Sequence, residues 1–127
     1  MIPEGQVIFR EVSKAFGVEE SELQGKLRLQ ALAEARFAAM YFCRQYTPLT
    51  LAEVGELFGG RNHATIINGV RRFLDLKSVD ADYRYRVKNL EAVLRQTLAA
   101  KDWRWGESRL LPGEYGYVWQ GELGGEG

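Results

Sequence analysis

The chain is poor in the residues that most often carry chemistry. It has one cysteine, Cys43, and one histidine, His63, among 127 residues. A lone cysteine excludes an internal disulfide and speaks against a cysteine-based zinc site. It falls in an apolar run of helical character, where a buried, inert thiol is expected. A single histidine excludes a paired-histidine metal site for strand cleavage. No serine or cysteine has the neighbours of a nucleophile, and the carboxylates are scattered, so no enzyme is expected. No apolar run approaches about 18 residues and no charged-then-apolar leader is present, so a soluble, cytoplasmic protein without membrane contact is expected. No cofactor or metal is implied.

Tryptophan is missing from the first hundred residues; Trp103, Trp105 and Trp119 all lie in the last part. The net charge is zero, but it is unevenly spread. Residues 1–25 hold 2 basic and 5 acidic side chains, residues 26–104 hold 14 and 8, and residues 105–127 hold 1 and 4. A basic middle between acidic ends suits a polyanion-binding core. Ordinary scatter of surface charge is the alternative.

The periodicity predicts an all-α protein, a small helical bundle. Val7–Phe16 reads as a helix stopped by Gly17. Ser21–Leu23 reads as a short helical turn, followed by a loop with two positive charges, Lys26-Leu27-Arg28. A long helix runs from Gln30 to Tyr46, with Ala35, Ala39, Phe42, Cys43 and Tyr46 inward, and Thr47-Pro48 ends it. Thr50 and Glu53 form a capping box that opens the next helix, which stops at Gly59-Gly60. Asn62 is a good N-cap for a helix to about Leu76, with Ile66, Val70, Phe73 and Leu74 inward. A last helix spans Val79–Ala100, with Val87, Leu90, Leu94 and Leu98 inward. Residues 1–100 thus form one domain, and 101–127 an aromatic, glycine-rich extension in which Tyr115, Tyr117 and Trp119 alternate as in a short strand.

Residues 55–69 read as the turn and second helix of a helix-turn-helix, whose bend suits the DNA major groove. Gly55–Asn62 nearly spells a phosphate-binding loop, but Arg61 and Asn62 stand where lysine and a hydroxyl are required, and a helix precedes it instead of a strand. No nucleotide is therefore expected. Backbone amides at the helix start can hold a phosphate, with Arg61 and Thr65 adding donors. His63, Ala64 and Asn68 are candidates for base edges, and Arg71 and Arg72 for sugar-phosphate. Against these stand a solvated histidine, a solvated arginine face, and Asn62 acting only as a cap.

Ala35-Arg36-Phe37-Ala38-Ala39-Met40-Tyr41-Phe42-Cys43-Arg44, Leu51-Ala52-Glu53-Val54-Gly55 and Phe58-Gly59-Gly60-Arg61-Asn62-His63-Ala64-Thr65-Ile66 follow one another in order. Through them residues 7–98 resemble the C-terminal DNA-binding domain of the bacterial replication initiator DnaA, a Trp-repressor-like helix-turn-helix. The resemblance implies that His63 reads a base, that Arg36, Arg61 and Thr65 contact phosphates, and that Lys26 and Arg28 reach the minor groove. Arg36 could instead pair with Glu34, and Lys26 and Arg28 could form a plain solvated loop. Three departures bear on specificity. Asn62, itself a candidate base contact, replaces the family's aspartate, which accepts from a cytosine amino group; asparagine donates as well as accepts, and its bidentate preference is adenine. Ala64 replaces a threonine. The basic loop is thin.

The function expected is sequence-specific binding of double-stranded DNA by a stand-alone, nucleoid-associated module without an ATPase, in replication, a mobile element or transcription. The competing expectation is a protein-interaction module that has lost most DNA affinity and acts through its tail. That tail would fold back over the bundle, or dock a partner or a second protomer; its acidic residues argue against stacking on bases.

Overall fold

A computed structural model describes residues 3–98, and six helices account for nearly all of them. They are α1 (Pro3–Phe16), α2 (Glu20–Gln24), α3 (Gln30–Tyr46), α4 (Leu51–Leu57), α5 (His63–Val79) and α6 (Ala81–Leu98). The described residues contain no strand. The proposed alternation at Tyr115, Tyr117 and Trp119 lies outside them.

The helix α3 is the axis of the fold. It packs on both α1 and α5, while α6 closes over α1 and α5 and α4 leans on α5. Buried on two sides, α3 hides far more than one stripe: Leu32, Ala35, Ala38, Ala39, Met40, Tyr41, Phe42 and Cys43 are all core residues. Aromatic rings knit the layers together. Tyr41 stacks on Phe73 with centroids 4.2 Å apart, and Phe73 meets Tyr83 at 5.9 Å. The Tyr83 hydroxyl donates to the Glu34 carbonyl at 2.9 Å, tying α6 to α3. Tyr46 and Leu74, expected inside, are only partly buried against this core.

Three boundaries differ from the sequence reading. Helix α1 begins at Pro3, because proline suits a first helical turn and Glu4 adds an acid there. Helix α2 is a full Glu20–Gln24 turn, opened by the Glu19 amide donating to the Glu22 carboxylate at 2.9 Å. Helix α5 continues to Val79 and α6 starts at Ala81 because Asp80 serves both ends. Its amide donates to the Leu76 carbonyl at 2.8 Å, and its carboxylate accepts from the Tyr83 amide at 3.0 Å.

Cys43 is fully buried, and that burial pushes its thiol pKa up to about 12. The native protein should therefore resist a disulfide reagent at mildly alkaline pH, while the unfolded chain reacts at once. Fast modification of the native state, as read by absorbance of the released thiol, would contradict this packing.

Candidate nucleic-acid interface

The bend between α4 and α5 is built on the Gly55 carbonyl. It accepts from the amides of Phe58 (3.1 Å), Gly60 (3.1 Å) and Arg61 (3.0 Å), so the chain folds back onto it. A Cβ at position 55 would stand 2.0 Å from the Arg61 carbonyl oxygen. Gly59 and Gly60 carry the reversal with φ of +80° and +84°. Thr50 opens α4 with the expected box: its hydroxyl accepts from the Glu53 amide at 3.1 Å, and Glu53 accepts from the Thr50 amide at 2.8 Å.

Asn62 then caps α5. Its Oδ1 accepts from the Thr65 amide at 3.0 Å, and the Thr65 hydroxyl lies 3.3 Å from the same oxygen. His63, Ala64, Thr65, Asn68, Arg71 and Arg72 are all exposed along the outer face of α5. The cap geometry thus spends the acceptor of Asn62 and leaves its Nδ2 as the group free to project from the helix start.

A groove of about 630 Å³ runs beside this helix. Lys26 and Arg28 from the loop, Arg36 from α3, Arg61 from the turn, and Thr65, Asn68 and Arg72 from α5 all line it. Among the described residues, five cations and no carboxylate contribute to its lining. Asn62, His63, Ala64 and Arg71 lie outside the groove on the same exposed helix.

Arg36 and Arg61 differ from the other cations. Arg36 is buried, and its guanidinium donates to the carbonyls of Glu22 (2.7 Å), Leu27 (2.6 Å) and Leu23 (3.2 Å). Arg61, half-buried, donates to the carbonyls of Gly25 (2.7 Å) and Phe58. Burial lowers the pKa of both, and each charge is met by backbone oxygens. In Arg36 the nearby Arg61 adds to the lowering and Glu22 opposes it. Glu34 does not pair with Arg36; its carboxylate accepts from Gln30 at 3.1 Å. The two arginines therefore brace the loop that carries Lys26 and Arg28 against α3 and the bend. Gln24 adds a third strut, donating to the Leu57 carbonyl at 2.8 Å.

Sequence reasoning missed the opposite wall of the groove, formed by Leu29, Gln30, Ala33, Phe37 and Met40. Gly69, buried in the middle of α5, was the available signal. A Cβ there would meet Met40 Sδ at 2.2 Å and the Phe37 ring at 3.6 Å, so the glycine lets α3 and α5 approach closely. The guanidinium of Arg72 sits over the Phe37 ring, 5.7 Å from its centroid.

Among the described residues, no group of three or more histidine, cysteine, aspartate or glutamate side chains could hold a metal ion, and no helix is long and apolar enough to cross a membrane.

The family model of the bacterial DnaA protein helix-turn-helix matches residues 6–72, more than half of the chain. The chromosomal replication initiator protein DnaA of Ruegeria sp. (strain TM1040) is 40% identical over 93 residues, covering 73% of this chain and 19% of the relative. That of Ruegeria pomeroyi is 39% identical over 87 residues, 68% of this chain and 19% of the relative. That of Herpetosiphon aurantiacus is 36% identical over 97 residues, 76% and 20% respectively. The chain spans about a fifth of the length of the curated relatives it matches.

Proposed function

The chain belongs to the bacterial DnaA helix-turn-helix family, and on that premise we propose that it binds double-stranded DNA sequence-specifically with residues 1–100. The observation that carries this reading is the groove in which the basic loop and the outer face of α5 converge, lined, among the described residues, by five cations and no carboxylate. Helix α5 enters the major groove, and His63, Ala64 and Asn68 meet base edges. Lys26 and Arg28 reach the adjacent minor groove. Thr65, Arg71 and Arg72 hold the sugar-phosphate backbone. Arg36 and Arg61 present their remaining guanidinium donors to phosphate while bracing the loop. Chemistry and nucleotide binding play no part in this role, which places the protein at the nucleoid.

Asn62 sets the base preference. An aspartate at an N-cap has two acceptor oxygens, one for the Thr65 amide and one for a cytosine amino group. Asn62 spends its oxygen on the cap. What it offers DNA is an N–H donor, which suits the O6 of guanine or the O4 of thymine. Selection of binding sites from random duplexes should therefore return an acceptor-bearing base at the position Asn62 faces. The Asn62→Asp variant should return cytosine there, with a discrimination of about 1–3 kcal/mol. Identical preferences for both proteins would refute the assignment. Failure of either protein to enrich any sequence would refute the function itself.

A further inference from the structure

The cations of the basic groove are held in three ways. Arg36 and Arg61 are bound to backbone carbonyls. Lys26 and Arg28 project from the loop as exposed side chains. Arg72 instead lies over an aromatic ring, that of Phe37. Two helices build this contact. Gly69 and Arg72 stand three residues apart and so share a face of α5. A Cβ at Gly69 would press on Met40 Sδ and touch the Phe37 ring, so the missing side chain lets that face settle on α3 with Phe37 beneath Arg72. Phe37 is half-buried there and lines the groove.

No carboxylate lines the groove among the described residues, so no anion of the wall competes with the ring for this guanidinium. The ring attracts the cation through its quadrupole but offers it no oxygen, so the N–H donors stay available to an incoming anion. An arginine that is free before binding surrenders its rotamers on contact, at a cost of about three- to tenfold in affinity. One already held by a ring is spared part of that cost. We propose that Phe37 is a positioning residue for DNA binding: its ring fixes the Arg72 guanidinium in the groove, ready for a backbone phosphate, before the duplex arrives. The role rests on the DNA-binding reading above and gives the α3 wall of the groove a task. It also separates Arg72 from Arg71, which is exposed on the same helix, lies outside the groove and, among the described residues, has no ring beneath it.

The test is the affinity of the full chain and its variants for one selected duplex, with the far-ultraviolet helical signal as the check on folding. Phe37→Leu should weaken binding about fivefold, and Phe37→Tyr, which keeps a ring, should stay within about twofold of the parent. In an Arg72→Ala background the leucine change should cost less than about twofold, because the side chain it positions is gone. In an Arg71→Ala background the full loss should persist. If Phe37→Leu lowers helicity, Phe37→Met, unbranched and adaptable, is read in its place. Three results would overturn the role and leave the DNA-binding reading standing: leucine binding as tightly as phenylalanine, tyrosine losing as much as leucine, or a loss undiminished in the Arg72→Ala background. A parent protein that binds no duplex would overturn that reading, and this role with it.

Discussion

Gly55→Ala should destabilise the domain by about 2–3 kcal/mol and lower its Tm by more than about 10 °C. The sign follows from two opposing terms. Alanine is favoured over glycine inside a helix by about 1 kcal/mol. Here that gain is outweighed, because the new Cβ would stand 2.0 Å from the Arg61 carbonyl oxygen. This neighbour is backbone, held by the same turn that uses Gly55 as its hub. Relief requires moving the start of α5 away from α4, which also breaks the Arg61 link to Gly25. Gly60→Ala is the control. It has a φ of +84° but open space, so it carries only the cost of a left-handed backbone, about 1 kcal/mol. Thermal unfolding of the two variants reads the difference. A Gly55→Ala protein as stable as the parent would show that the bend is not built as described.

The second large effect falls on affinity rather than stability. Lys26, Arg28 and Arg72 are exposed and line the groove. Replacing all three by alanine should leave the fold within about 0.5 kcal/mol of the parent for each change. Each cation that displaces a counterion from the duplex, whether it lies on a phosphate or in the minor groove, contributes close to a factor of ten in affinity at about 0.1 M salt, so the triple variant should bind DNA several-hundred-fold more weakly. Arg36 and Arg61 are poorer choices for this experiment. Their guanidiniums hold the loop through backbone carbonyls, and their loss would disturb position and charge together.

Local signals explain which parts of the molecule were legible in its sequence. The bounds of α3 follow from the loop before Gln30 and from Thr47-Pro48 after Tyr46, and the structure keeps both. The Thr50–Glu53 box and the Asn62 cap are contacts three residues apart, which a sequence displays directly. The brace was not legible. Arg36 meets carbonyls 9 to 14 residues earlier, and Arg61 meets Gly25 across 36 residues. In the sequence both look like solvent-facing cations. Gly55 appears as one glycine among several, because its importance arises only when the chain returns to it at Arg61. The groove wall at Phe37 and Met40 was hidden for the same reason, since it exists only where α3 and α5 cross at Gly69.

The central claim is that a cationic groove, completed by α5, grips duplex DNA. Its most direct test is the affinity of the parent protein for a selected duplex, measured by fluorescence anisotropy across a salt series. With about five phosphates neutralised, the log–log slope should lie near −4 to −5, and it should become shallower by about one for each of Lys26, Arg28 and Arg72 replaced. Binding that is absent, or whose slope is near zero and indifferent to those three substitutions, would contradict the account.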